Sequence, residues 1–167
     1  MSQRTRLTWQ TNPSCAPAAP PQPVQRFAEA DRTGAEKPAE TKAAILVVED
    51  DFLVAMQIEA ALTEAGFALS GTAASGEEAV AMVAAVRPAL VLMDIRLAGK
   101  MDGVEAALTV FRQYGIRCIF ATAHYDPDVR RRAAPAEPLG WLQKPYTMPA
   151  MLAAVRQGLA DLKADSA

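Results

Sequence analysis

The sequence predicts an α/β fold, a doubly wound sheet of five parallel strands with helices on both faces. Three observations carry this. Five short apolar runs alternate with five stretches of helical pattern. The connections are short, so neighbours in sequence pack as neighbours in space. The runs Ala44 to Val48 and Ala89 to Met93 are apolar at every position, as strands covered on both faces are. Right-handed crossovers then distribute the helices over both faces.

Residues 1–42 stand apart from this pattern. Six of the twelve prolines fall here, among Ala, Gln, Ser and Thr. Such a composition buries too little apolar area to offset the entropy of ordering, so a disordered Pro/Ala-rich extension is expected. Trp9, Val24 and Phe27 are its isolated apolar points. Order is expected from 43 to 163. The first strand, Ala44 to Val48, ends in Glu49, Asp50 and Asp51. A helix over 52–65 comes next, its turns marked by Leu53, Met56, Ala60 and Thr63/Glu64, with Gly66 placed to stop it. Phe67 to Thr72 is a second strand. Ser75, with Glu78 three residues on, has the capping-box pattern for a helix over 76–86, and Pro88 blocks its continuation. The third strand, Ala89 to Met93, runs into Asp94. A loop from Ile95 to Met101 has Gly99 as its flexible point. Asp102 then caps a helix over 103–114 with Glu105 near its positive end. Arg117 to Ala121 is the fourth strand. Pro127 suits the first turn of a short helix over 128–134, which Pro135 and Pro138 close. Leu139 to Gln143 is the fifth strand. A last helix over 148–162 repeats apolar residues at Leu152, Val155, Leu159 and Leu162.

Seventeen basic and nineteen acidic residues give a net charge of −2. That balance makes no electrostatic case for nucleic acid or an anionic membrane as a partner. No stretch reaches the ~18 apolar residues of a membrane span, and no apolar core comes after Arg4 and Arg6 to make a secretory signal. Of the two cysteines, Cys15 lies among prolines and Cys118 inside an apolar run, where a buried thiol is expected. A cytoplasmic location fits this usage.

Parallel strands bring their C-terminal ends to one edge, where open α/β folds place their sites. Glu49, Asp50, Asp94, Thr122 and Lys144 therefore share a rim. Each has an ordinary reading alone: an acid as a helix cap, Thr122 as a turn residue, Lys144 as a solvated charge. Together they make a chemistry. Like charges at ~4 Å cost on the order of 4 kcal/mol at an effective dielectric near 20, so three carboxylates call for a cation. Oxygen-only ligands favour Mg²⁺, and the lone His124 argues against zinc. Asp94 is then a nucleophile for a phosphoryl group, Lys144 a point charge for a phosphoryl oxygen, and Thr122 a rotatable donor to another.

The motifs Ile45-Leu46-Val47-Val48-Glu49-Asp50-Asp51, Val91-Leu92-Met93-Asp94, Phe120-Ala121-Thr122-Ala123 and Lys144-Pro145-Tyr146-Thr147 resemble the receiver domain of two-component response regulators. The spacings are family-like: 44 positions from Asp50 to Asp94, 28 to Thr122 and 22 to Lys144. The resemblance implies a flavodoxin-like (βα)₅ fold, with Mg²⁺ held by Glu49, Asp50, Asp94 and the backbone carbonyl of Arg96. It implies Asp94 as phosphoacceptor, Thr122 as switch hydroxyl, Trp141 as switch aromatic, and Lys144 before a cis-Pro145. The implied partners are a histidine kinase as donor and a downstream protein or histidine phosphotransfer protein as receiver of the signal. The protein would be no enzyme beyond its own phosphoryl transfer and dephosphorylation, and a monomer or weak dimer. The run Phe120 to Tyr125 also resembles single-domain regulators with a Phe-Ala-Thr-Gly-Tyr motif, although Ala123-His124 replaces the Gly and His124 borders the pocket. A stand-alone receiver is expected, since about four residues remain after the last helix. Rival readings are a phosphate sink or relay intermediate, and a small Mg²⁺-dependent phosphatase. The phosphatase usually carries a second acid where Arg96 stands. The Arg130-Arg131-Arg132 run reads as a solvated helix surface or a partner-binding patch.

Overall fold

The computed structural model describes residues 43–123 and 126–166. The expectations for residues 1–42, including Trp9, Cys15, Val24 and Phe27, and for His124 and Tyr125 lie outside them. The elements in chain order are β1 (Ala44–Val48), α1 (Phe52–Glu64), β2 (Ala68–Ala73), α2 (Gly76–Val86), β3 (Leu90–Asp94), α3 (Gly103–Tyr114), β4 (Cys118–Thr122), α4 (Pro127–Ala133), a 3₁₀ turn (Ala134–Ala136), β5 (Gly140–Gln143) and α5 (Met148–Asp165). All strands are parallel, in the order β2-β1-β3-β4-β5. This is the doubly wound sheet that the alternation predicts.

Each face carries its own core. Ile45, Val47, Leu90, Leu92 and Ile119 point to one side and meet Ile58 and Leu62 of α1 and Met151 and Val155 of α5. Leu46, Val48, Val91, Met93 and Phe120 point to the other and meet α2, α3 and the turn after α4. The split arises from the period of two along a strand. Burying each large side chain contributes roughly 1.5–3 kcal/mol before the entropy of ordering is set against it.

Several boundaries differ from the pattern reading, and the differences bear on the site. The third and fourth strands run one residue further than the apolar runs suggest, so Asp94 and Thr122 end β3 and β4 rather than lie beyond them. The reason is pairing: Asp94 sits opposite Ala121, and Thr122 opposite Gln143. β2 also starts later than expected. Its register with β1 shifts between Ile45 and Leu46, which skips Ser70 and places Gly71 at φ 132. Leu53, Met56 and Ala60, which mark the turns of α1, lie on its outer face. Leu53 and Met56 are 68% and 50% exposed, while Ala55, Ile58 and Leu62 are buried. The helix is as predicted, and its inward side is the one that carries Ala55, Ile58 and Leu62. α5 runs three residues beyond Leu162, and Met151 and Gly158 join Val155 at its buried face.

The caps agree with the sequence signals. Ser75 Oγ accepts from the Glu78 amide at 3.2 Å, while the Glu78 carboxylate accepts from the Ala74 amide at 2.8 Å rather than from that of Ser75, so this box is half-formed. Asp102 and Glu105 form a complete capping box. Gly115 ends α3 at φ 67. Asp126 caps α4 ahead of Pro127.

Candidate functional site

β1, β3, β4 and β5 end side by side, and residues at or just past these strand ends make the site. After Val48 the chain supplies three acids with different fates. Glu49 is buried, Asp50 is exposed, and Asp51 turns away to cap α1, accepting from the Leu53 and Val54 amides at 2.9 and 3.1 Å. Asp94 closes β3 and is buried. Carboxylate oxygens of Glu49, Asp50 and Asp94 lie within 4.8 Å of one another. Lys144, just past β5, reaches across from the opposite side. Its Nζ donates to Glu49 Oε2 and to Asp94 Oδ2, both at 2.7 Å.

Local backbone fixes these groups. The Arg96 amide donates to Asp94 Oδ1 at 3.1 Å, which leaves Oδ2 to Lys144. The Lys144 amide donates to the Thr122 carbonyl at 2.7 Å, which ties the end of β5 to that of β4. The Lys144–Pro145 peptide is cis, as the motif resemblance implies. Thr122 is half-buried one strand away from Asp94. Trp141 stands opposite Phe120 in the β4–β5 register. The two rings lie 4.9 Å apart at 31°, and the Arg130 guanidinium lies 4.7 Å over the Trp141 ring.

The electrostatics are set by burial. Desolvation pushes the Glu49 carboxyl above its ordinary value, against the hydrogen bond from Lys144, and the charge of Asp94 adds to the rise. Burial also works against the Lys144 ammonium, but Asp94 and Glu49 outweigh it and hold its pKa up. Three carboxylates facing one ammonium leave two negative charges at the rim. An oxygen-only donor set with that residual charge fits a divalent cation of the Mg²⁺ type. Glu49 and Asp50 line a depression of about 280 Å³ walled by Phe52, Met56, Glu59 and Thr72.

The structure thus brings Glu49, Asp50, Asp94 and Lys144 together, with Thr122 and Arg96 on adjoining backbone. Sequence reasoning missed two participants. One is Gly103, whose amide donates to the Ile95 carbonyl at 2.9 Å. A Cβ there would fall 1.9 Å from the Asp94 carbonyl oxygen. The Asp-Gly pair before a helical run was the available signal. The other is Tyr146, which packs into the α1–α5 core with its hydroxyl buried, pushing its pKa up. No signal in the sequence distinguishes that ring from a surface one. No helix among the described residues is long and apolar enough to cross a membrane.

Comparison with known proteins agrees with this geometry. The family model described as "Response regulator receiver domain" matches residues 45–156. The chain is 30% identical over 111 residues to the transcriptional regulatory protein PdtaR of Mycobacterium tuberculosis, covering 66% of this chain and 54% of that protein. It is 32% identical over 130 residues to the phyllosphere-induced regulator PhyR of Methylorubrum extorquens, covering 77% and 48%. It spans about half the length of these curated relatives. Among solved structures, the receiver domain of a modulated diguanylate cyclase from Desulfovibrio desulfuricans matches with a TM-score of 0.68 and 31% identity, over 73% of this chain and 97% of that one. A CheY-like receiver from Methanospirillum hungatei, 21% identical, shares the fold with a TM-score of 0.69 over 75% and 99%. With the family model spanning both cores and every rim residue described above, the chain belongs to the receiver-domain family of two-component response regulators.

Proposed function

We propose that Asp94 accepts a phosphoryl group from a histidine kinase in a Mg²⁺-dependent reaction, and that this switches the protein's contacts with a downstream protein. The observation that supports the reading best is the convergence of Glu49, Asp50, Asp94 and Lys144 on one rim from three strand ends. A carboxylate oxygen of Asp94 attacks phosphorus, the phosphorus–nitrogen bond of a phosphohistidine breaks, and its electron pair returns to the imidazole. Glu49, Asp50, Asp94 and the Arg96 carbonyl would hold Mg²⁺, which stabilises charge on the transferred group. Lys144 offsets the carboxylates before transfer, and the same ammonium then meets a phosphoryl oxygen. The Thr122 hydroxyl, carried at the end of the adjacent strand, donates to a second oxygen. Trp141 reports the resulting shift of β4 and β5. Phe120-Ala121-Thr122 supports a place near the Phe-Ala-Thr-Gly-Tyr subgroup.

Acetyl phosphate with Mg²⁺ is expected to add one phosphoryl group to the wild type and none to Asp94→Asn, read by intact-mass spectrometry. Equal modification of the two proteins would remove Asp94 as the acceptor.

A further inference from the structure

The arginine run of α4 divides into three different environments. Arg131 is 77% exposed and, among the described residues, pairs only within its own helix, with Asp128 at 2.8 Å. Arg132 reaches out of the helix to Asp102, the capping residue of α3, at 2.7 Å. Arg130 lies over the indole of Trp141 at 4.7 Å. The solvated-surface reading therefore holds for Arg131 alone.

We infer that Arg130 is a positioning residue for the aromatic switch: its stacking holds Trp141 in the conformer in which Lys144 binds the Asp94 carboxylate. The inference rests on the reading of Asp94 and Trp141 proposed above. Trp141 lies near two of the strand ends that carry function, those of β4 and β5. It pairs in register with Phe120, two residues before Thr122, and precedes Lys144 by three residues. Any movement of Thr122 or Lys144 toward a phosphoryl group reaches this ring through short, stiff strands. The ring rests on the buried Phe120 and meets the guanidinium as well. To leave its place, the indole must leave the cation.

The guanidinium in turn has a fixed base. Ala133 of α4 and Ala136 of the turn after it are buried in the core, and Arg132 fastens the last turn of α4 to the α3 cap. Indole is the best aromatic partner for a cation. A phenol or benzene ring at position 141 would give the brake less hold, so Trp141 and Arg130 act as a pair.

The test uses the full chain with Trp9→Phe, so that Trp141 alone emits. Beryllofluoride, a tetrahedral mimic of an aspartyl phosphate, is titrated with Mg²⁺ present. Loss of the stacking in Arg130→Gln is expected to lower the half-saturating concentration about two- to fivefold, the range of an exposed cation–π contact. Arg130→Lys, which keeps a cation over the ring, and Arg131→Gln are both expected to stay at the parental value. Arg130→Gln matching the parent overturns the inference, as does Arg131→Gln shifting as far as Arg130→Gln. A Trp141 signal that stays silent while mass spectrometry shows phosphorylated Asp94 overturns it too, and leaves the phosphoacceptor reading standing. Absence of phosphorylation overturns that reading itself.

Discussion

Lys144 shows how much a single side chain can carry at this rim. One ammonium spans Glu49 and Asp94, partners 95 and 50 positions away in sequence. Its type and its place after β5 were legible from the chain. Its double bond was not, because that depends on how far β1 and β3 lie from β5 across the sheet. Cys118 is the opposite case, since its burial was readable from the apolar run around it. It is 1% exposed, and desolvation pushes its thiol up to about 12. That shift fixes the sign of its contribution to stability. The folded state keeps the thiol neutral, whereas the unfolded thiol ionises near its ordinary value of 9.0. The contribution is complete below that pH and is lost as pH rises toward 12. In a Cys15→Ser protein at pH 8, a thiol reagent is expected to label Cys118 only as the fold opens. Labelling measured against urea concentration should track the unfolding transition, and fast labelling of the native protein would contradict the burial.

Elements were read more securely than their faces. The alternation of runs and turns located all five strands and five helices. The inward side of α1 was not legible from the chain, because Leu53 and Met56 are as hydrophobic as the residues that pack. Ala55 and Ile58 win the core because the chain enters α1 from the Asp51 cap at the end of β1, which sets the rotation of the helix. Strand ends were misjudged for a related reason: Asp94 and Thr122 are polar, yet neighbouring strands pair with them. Glycines distinguish the two kinds of element boundary. Gly115 sits at φ 67 with no atom within 4 Å of an added Cβ, so Gly115→Ala is expected to cost about 1 kcal/mol and leave phosphorylation unchanged. At Gly103 the obstacle is the backbone oxygen of Asp94, which cannot rotate aside. Gly103→Ala is expected to cost roughly 1–3 kcal/mol and to slow phosphorylation by acetyl phosphate, since α3 must back away from the loop that carries Arg96. Urea melts and mass-spectrometric time courses on the two variants separate strain at the site from strain at a cap.

At the scale of the whole molecule, the parallel sheet concentrates acidic groups that a random arrangement would keep apart. Glu49 and Asp94 are both buried, with Asp50 beside them, and Lys144 balances only part of their charge. The fold therefore stores repulsion at its C-terminal edge, and a bound cation would release it. That reasoning gives Asp50 two effects of opposite sign. Without divalent cations, Asp50→Asn removes one of three crowded charges and is expected to raise the melting temperature above that of the wild type. With Mg²⁺ at a hundredfold excess over its dissociation constant, the wild type should gain about 2.7 kcal/mol. For a domain of this size that corresponds to a rise of roughly 5–20 °C. Asp50→Asn should lose most of that gain, because it lacks one of the ligands. Thermal melts of both proteins in EDTA and in MgCl₂ would therefore cross, with the variant more stable in the first buffer and less stable in the second. Parallel shifts of the two proteins on adding Mg²⁺ would mean that Asp50 does not hold the ion. If neither protein moved at all, the rim would not hold Mg²⁺ and the proposed cation site would fall.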